Sequence, residues 1–280
     1  MPHDLIAVGD VMLDGALPEP VAGGRVHGRI ELRAGGSAVN AALAAARLGA
    51  RAAVIGRVGA DAAGRLVADE LAAAGVEPLL ARDDEAPTGC VVVVGGSSIV
   101  ADPGASLRLA PGDLPATLEA GAVLVSGYSL LQVGPEAAAR AALERARTDW
   151  LAVDAASSRL VSAFGIDRFF EATTNAGVLF ANADEARTLT GLDADEAAFA
   201  LARHYRVVCV KLGRAGAIAA DGGELVRAEV QLLERADTLG AGDAFAGGFL
   251  VALVRGAELA VALRAGCDAA TAALQGSARA

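Results

Sequence analysis

The chain has 280 residues, 54% of them hydrophobic, and a formal net charge of −10. That length suits one large α/β domain or two smaller ones, and the apolar fraction argues for a sizeable core rather than disorder. The acidic balance speaks against nucleic-acid binding, and no apolar run reaches ~18 residues free of charges or turn signals, so no membrane partner or span is expected.

The start, Met1-Pro2-His3-Asp4, lacks the basic opening of a secretory signal, which makes the cytoplasm the default expectation. Leu5 to Gly9 reads as a short buried strand ending in a turn. Ala38 to Leu48 reads as an alanine-rich helix closed by Gly49, Arg51 to Ile55 as a strand, and Gly64 to Ala74 as a helix closed by Gly75. Further strands are predicted at Gly121–Val125, Trp150–Asp154, Val178–Ala181 and Val207–Leu212. Helices are predicted over Pro135–Arg147, from about Asp184, and over Gly242–Arg255 and Leu259–Leu274. Continuous apolar strands alternating with helices imply βαβ units and a parallel sheet covered on both faces.

Two stretches break this rhythm. Ala16 to Ala34 carries prolines, glycines and alternating residues. Thr88 to Asp102 reads as a hairpin turning at Gly95-Gly96. Both are expected to form a small separate sheet that folds over the main domain as a lid. The three cysteines, Cys90, Cys209 and Cys267, are isolated, and the three histidines show no metal-ligand spacing.

The densest chemistry lies at Thr238-Leu239-Gly240-Ala241-Gly242-Asp243. Glycines let backbone N–H groups converge, and the helix that follows adds the positive end of its dipole, so the turn is suited to a nucleotide's terminal phosphate. A carboxylate at Asp243 repels a phosphate, so its presence there calls for a reason. A general base for an attacking hydroxyl supplies one. An ordinary acidic residue favoured in a first helical turn is the alternative. The lone lysine of the chain, Lys211, is not in a Gly-Lys-Ser/Thr phosphate loop, and the motifs of a protein kinase are missing.

Other constellations sit at predicted strand ends. Asp10 and Asp14 follow the first strand, where carboxylates can accept hydrogen bonds from sugar hydroxyls or simply cap a loop. Gly35-Gly36-Ser37 leads into a helix with Asn40 in its first turns. Gly56 to Gly64 reads as a loop after a strand. Asn182 and Glu185 enter a helix together, as partners for Mg²⁺ through water or as a plain N-cap with first-turn acids. Lys211 to Gly216, with Gly213 and Gly216, reads as a nucleotide-binding turn or a simple β-turn.

Taken as a set, G-G-S-A-V-N, G-R-V-G-A-D-A-A-G, N-A-D-E, K-L-G-R-A-G and D-T-L-G-A-G-D-A-F resemble the ribokinase-like (PfkB) carbohydrate kinase family, from about Ala7 to Gly276. The resemblance implies one kinase domain over residues 1–280. Its fold would be a three-layer αβα Rossmann-like domain with a mostly parallel central sheet and a small β-sheet lid, inserted at about 16–34 and 88–102. It implies ATP and Mg²⁺ as cofactors, with K⁺ as a candidate near Asp237 and Thr238. Asp243 would be the catalytic base, and Gly240, Ala241 and Gly242 the anion hole. Asp14, Asp10, Gly35, Gly36, Asn40 and Tyr128 would meet the acceptor. Asn182, Lys211, Gly213, Gly216, Thr238, Gly240 and Gly242 would meet ATP, and Glu185 would organise Mg²⁺. The implied reaction carries the γ-phosphoryl group to a hydroxyl of a sugar or sugar-like molecule. A nucleoside or phosphosugar acceptor, or a non-catalytic binder, stands as the alternative. A homodimer through the lid is the implied assembly.

The chain departs from the ribokinase pattern at two places. Met12 stands where ribokinases carry asparagine, and Ser37 stands where they carry lysine. Phosphosugar kinases of the family usually supply cations for the substrate's phosphate, and Ser37 supplies none. Arg25, Arg29, Arg33 and Arg108 are the remaining candidates for that charge, with solvated surface arginines as the plainer reading. The end of the chain soon after Gly276 leads to the expectation of a trimmed adenine pocket or cation loop.

Overall fold

The computed structural model describes residues 3–17, 27, 30–94, 98–230 and 240–279. The strands, in chain order, are β1 (His3–Val8), β2 (Met12–Leu17), β3 (Glu31–Gly35), β4 (Ala52–Gly59), β5 (Val76–Asp83), β6 (Thr88–Val94), β7 (Ser98–Gly104), β8 (Leu118–Val125), β9 (Ala146–Arg147), β10 (Trp150–Asp154), β11 (Val178–Asn182), β12 (Val207–Lys211), β13 (Ala217–Asp221) and β14 (Glu224–Ala228). The helices are α1 (Ser37–Arg47), α2 (Ala62–Ala73), α3 (Gly127–Leu130), α4 (Glu136–Arg145), α5 (Ser158–Phe164), α6 (Ile166–Ala172), α7 (Ala183–Thr190), α8 (Ala194–Leu201), α9 (Ala241–Val254) and α10 (Leu259–Arg279).

The large sheet has the order β14-β13-β12-β11-β10-β8-β1-β4-β5, with β9 beside β8. It is parallel from β5 to β12, and β13 and β14 extend it antiparallel. Side chains alternate between its faces, as strand geometry requires. Leu5 and Ala7 join one core with α1, α2, α9 and α10, while Ile6 and Val8 join a second core with α4 to α8. This is a three-layer αβα arrangement. Among the described residues, no helix is long and apolar enough to cross a membrane.

The second sheet has the order β3-β2-β6-β7. Its strands differ from the expected boundaries. β2 begins at Met12, so Asp14 belongs to the small sheet rather than to a loop at the end of β1. The hairpin flanks pair antiparallel from Thr88↔Gly104 to Val94↔Ser98, and Gly95-Gly96 lie outside the described residues. The stretch from Gly56 to Gly59, expected as a loop, continues β4 in register with Leu80 to Asp83 of β5. There Gly59 is required by crowding, because a Cβ would stand 2.5 Å from the Thr88 nitrogen.

Helix α9 shows why the A-G-G-F stretch reads as it does. A side chain at Gly247 would collide with the Ala41 carbonyl of α1, and one at Gly248 would stand 2.5 Å from Ala269 of α10. These glycines cost helix propensity but allow close backbone approach. Below them, Phe245 and Phe249 stack at 6.0 Å and both meet the edge of Phe180 from β11. The N-terminus of α9 is thereby fixed over the carboxyl ends of the strands.

Candidate active site

One cavity of about 910 Å³ opens at those strand ends. Of the residues singled out in the sequence, Asp10, Asp14, Gly36, Asn40, Tyr128, Asn182, Glu185, Lys211, Gly213, Gly216, Gly240, Ala241, Gly242 and Asp243 all line it. Gly35 stands behind Asp14, where any side chain would collide with that carboxylate. Asp237 and Thr238 lie outside the described residues.

Gly240 is the left-handed residue before α9, with φ 77°, and a Cβ on it would stand 2.8 Å from the Asn40 side chain. The first turn of α9 leaves N–H groups without intrahelical acceptors, and they carry the positive end of the dipole. Asp243 sits in that turn. Its Oδ2 accepts a hydrogen bond from Asn40 Nδ2 at 3.1 Å. Burial pushes the Asp243 carboxyl up to about 7, with Asp154 adding to the rise, Lys211 opposing it, Asp10 adding and Asn40 opposing. A carboxyl poised near neutral pH is suited to accept a proton.

Toward the small sheet, Asp10 is held tightly. Its carboxylate accepts the Ser37 N–H at 2.8 Å, the Ser37 hydroxyl, and the Ser126 hydroxyl at 2.8 Å. Asp10 thus supports the start of α1, and Gly36, with φ 95°, is needed because a Cβ would press on the Asp10 carbonyl. Serine at position 37 is therefore a structural partner of Asp10. Asp14 is buried, and Tyr128 is half-exposed at the rim. By register, Met12, Asp14, Val91, Ile99 and Ala101 share the face of the small sheet that lines the cavity.

Toward the other end, Asn182 and Glu185 form a reciprocal cap of α7. Asn182 Oδ1 accepts the Glu185 N–H at 2.9 Å, and Glu185 Oε2 accepts the Asn182 N–H at 2.8 Å. The plain N-cap reading of this pair is what the structure shows, and the capped Glu185 also lines the cavity. Burial raises the Glu185 carboxyl, Asp154 adds to it and Lys211 opposes it. Gly213, with φ 58°, and Gly216, with φ 90°, shape the turn after Lys211, and a side chain at Gly216 would run into the Ala228 carbonyl. From α10, Cys267, Ala270, Thr271 and Leu274 close the wall.

The sequence reading missed Asp154. Its Oδ2 accepts a hydrogen bond from Lys211 Nζ at 2.8 Å. It was readable only as the last residue of a predicted strand. Arg108, a candidate for substrate charge, is instead tied to Asp83 and Glu85.

The cavity thus joins an end lined by Asp14 and Asn40, a helix N-terminus with a raised carboxyl, and an end with a lysine and glycine turn. The family model described as pfkB family carbohydrate kinase matches residues 2–279. The chain belongs to the PfkB family. A 2-dehydro-3-deoxygalactonokinase of Haloferax volcanii is 30% identical, over 98% of this chain and 91% of that protein. The adenosine kinase of Sinorhizobium meliloti has a TM-score of 0.87 at 26% identity, covering 98% of this chain and 94% of that one. A probable sugar kinase of Rhizobium etli has a TM-score of 0.85 at 25% identity, covering 98% and 93%. This PfkB chain is accordingly a kinase of small-molecule acceptors, and the family implies ATP and a divalent metal.

The donors present suit such a metal. Mg²⁺ takes oxygen ligands, keeps several waters, and commonly rests on one or two carboxylates together with substrate phosphates. Glu185, facing the cavity beside the glycine turn, is a carboxylate of that kind. Among the described residues, no group of three or more His, Cys, Asp or Glu side chains stands ready to hold a metal alone.

Proposed function

We propose that the enzyme carries the γ-phosphoryl group of ATP to a hydroxyl of a sugar or sugar-like small molecule, with Asp243 as general base. The observation that carries this reading is the place of Asp243. It lies at the N-terminus of α9, between Asn40 on the acceptor side and Lys211 on the other, with its carboxyl raised to about 7.

Asp14 and Asn40 orient the acceptor, with Gly35 leaving room for the Asp14 carboxylate and Gly36 for the Asp10 carbonyl, and Asp10 and Tyr128 in supporting places. Asp243 takes the proton of the acceptor hydroxyl as its oxygen bonds to the γ-phosphorus. The bond from that phosphorus to the bridging oxygen breaks, and ADP leaves. The N–H groups of Ala241, Gly242 and Asp243 receive the charge on the transferred group. Gly213 and Gly216 border the nucleotide, with Lys211 beside its phosphates. Glu185, with Asn182 fixing it, would hold Mg²⁺ through water, and the bound ion supplies charge neutralisation on the phosphates. K⁺ near Asp237 and Thr238 is part of the same reading, and exchange of K⁺ for Na⁺ in the assay tests it. The small sheet acts as a lid that excludes water.

A nucleoside acceptor is the second reading. It is favoured by the apolar side of the acceptor end, where Met12, Val91, Ile99 and Leu107 would suit a flat base. ADP release from ATP and Mg²⁺ across neutral sugars, sugar acids, sugar phosphates and nucleosides separates the two. A lower KM for a nucleoside than for its free sugar supports the second reading. Equal or better use of the free sugar removes it.

We also propose a homodimer through the small sheet. Leu32, Gly15, Val92 and Val100 form one row across the face turned away from the cavity, and Leu32 and Val100 are 54% and 66% exposed.

A further inference from the structure

We propose that Asp154 is a positioning residue of the transfer: it fixes the ammonium of Lys211 at the cavity wall, and Lys211, so held, meets the phosphoryl group in flight. The inference rests on the kinase reading above and adds to it a residue that no family motif brought forward.

Lys211 is the only lysine of the chain, and its side chain is 18% exposed inside the cavity. Its ammonium lies 2.8 Å from Asp154 Oδ2, and a Cβ on Gly242 would stand 3.2 Å from the same nitrogen. The lysine therefore reaches the first turn of α9, one residue from Asp243. Burial works against its charge, but Asp154 and Glu185 outweigh that and hold it above its ordinary range.

Asp154 itself is fixed from several sides. Its Oδ1 accepts the Ala156 N–H at 2.7 Å. Ala156 has φ 59°, and among the described residues it is the one non-glycine with a positive φ. A non-glycine in that conformation is strained and persists where the surroundings fix it. Those surroundings are visible. A side chain at Gly127 would collide with the Asp154 carbonyl and stand 2.9 Å from the Ala156 Cβ. The Ala155 N–H bonds to the Phe180 carbonyl at 2.9 Å. A strained turn, a close glycine and a strand bond all converge on the orientation of one carboxylate, and that carboxylate holds the only lysine.

The pair has a consequence for kinetics. Before transfer, Asp154 competes with the nucleotide for the ammonium, so binding of ATP does not need it. During transfer, charge spreads over the phosphoryl oxygens, and a cation held in place stabilises it more than one on a free tether.

The test is a double-mutant cycle of Asp154→Asn and Lys211→Met, read as kcat and KM for ATP with the best acceptor of the panel. We expect Asp154→Asn to lower kcat about tenfold or more without raising KM for ATP, and Lys211→Met to lower kcat at least as far. The double variant should fall no lower in kcat than Lys211→Met alone, because Asp154 acts through the lysine. Losses that multiply, or a near-normal kcat in Asp154→Asn, would overturn the proposal. Ala156→Gly, which loosens the same carboxylate, gives a second route should Asp154→Asn not fold. It should lower kcat in the wild-type background and leave it unchanged beside Lys211→Met. Calorimetric titration with ATP and Mg²⁺ needs no acceptor: Asp154→Asn should bind as tightly as wild type or more tightly, and weaker binding would contradict the proposal. Asp243→Asn runs beside these. Its normal turnover would sink the assigned base while leaving the cycle readable.

Discussion

At the scale of single residues, the site is a balance of charges around one cavity. Asp243 is raised by burial, Asp154 and Asp10, and lowered by Lys211 and Asn40. Replacing Lys211 with methionine removes a positive neighbour and raises Asp243 further. The acid limb of the kcat/KM profile, expected near pH 7 in the wild type, should therefore move to higher pH in Lys211→Met. An unmoved limb in a folded variant would mean that another group titrates there. The same raised carboxyl has a stability signature. Its folded value lies above its unfolded one, so the stability it contributes is present at low pH and lost as pH rises through about 7. Asp243→Asn should accordingly melt higher than wild type at pH 8 and gain less at pH 5, by thermal denaturation. Asp243, Asn40 and Asp14 were legible in the sequence because each stands in a motif with glycines. Asp154 was not, since a lone acid at a strand end has no company in sequence, and its partner Lys211 lies 57 residues away.

At the scale of elements, the placement of α9 depends on contacts that periodicity does not reveal. Gly247 has no room for a Cβ against the Ala41 carbonyl of α1. Gly247→Ala should destabilise the fold by about 1–3 kcal/mol, the usual cost of overpacking, in denaturant titration. A neutral result would mean that α1 and α9 separate without penalty. The apolar runs of β1, β8, β10, β11 and β12 announced their strands, because parallel strands are buried on both faces. β5 was missed, and Pro78 explains why. Proline removes a ladder donor, and β5 is tolerated as a strand because it sits at the edge of the sheet. β13 and β14 were missed for a different reason. They form a short antiparallel hairpin turning at Gly222-Gly223, with no helix to announce a crossover. Asp14 lies in β2 and not in a loop after β1, and the sequence does not show it, because only a few residues separate the two strands and a change of sheet leaves no mark in so short a connection.

At the scale of the whole molecule, the two sheets divide the labour. The large sheet fixes Asp154, Asn182 and Lys211 at its carboxyl edge, and the small sheet brings Asp14 over them. The apolar row on the outer face of the small sheet carries the proposed dimer. Leu32→Lys with Val100→Lys should shift the mass in solution from dimer to monomer by light scattering, and an unchanged dimer would place the interface elsewhere. The central claim is that Asp243 takes the acceptor's proton in a transfer from ATP. The most direct measurement is acceptor-dependent ADP release by wild type and Asp243→Asn, with ATP affinity measured on both. The account predicts that the variant binds ATP and loses turnover by about a hundredfold or more, the range of general-base catalysis. A folded Asp243→Asn enzyme with near wild-type turnover would contradict it.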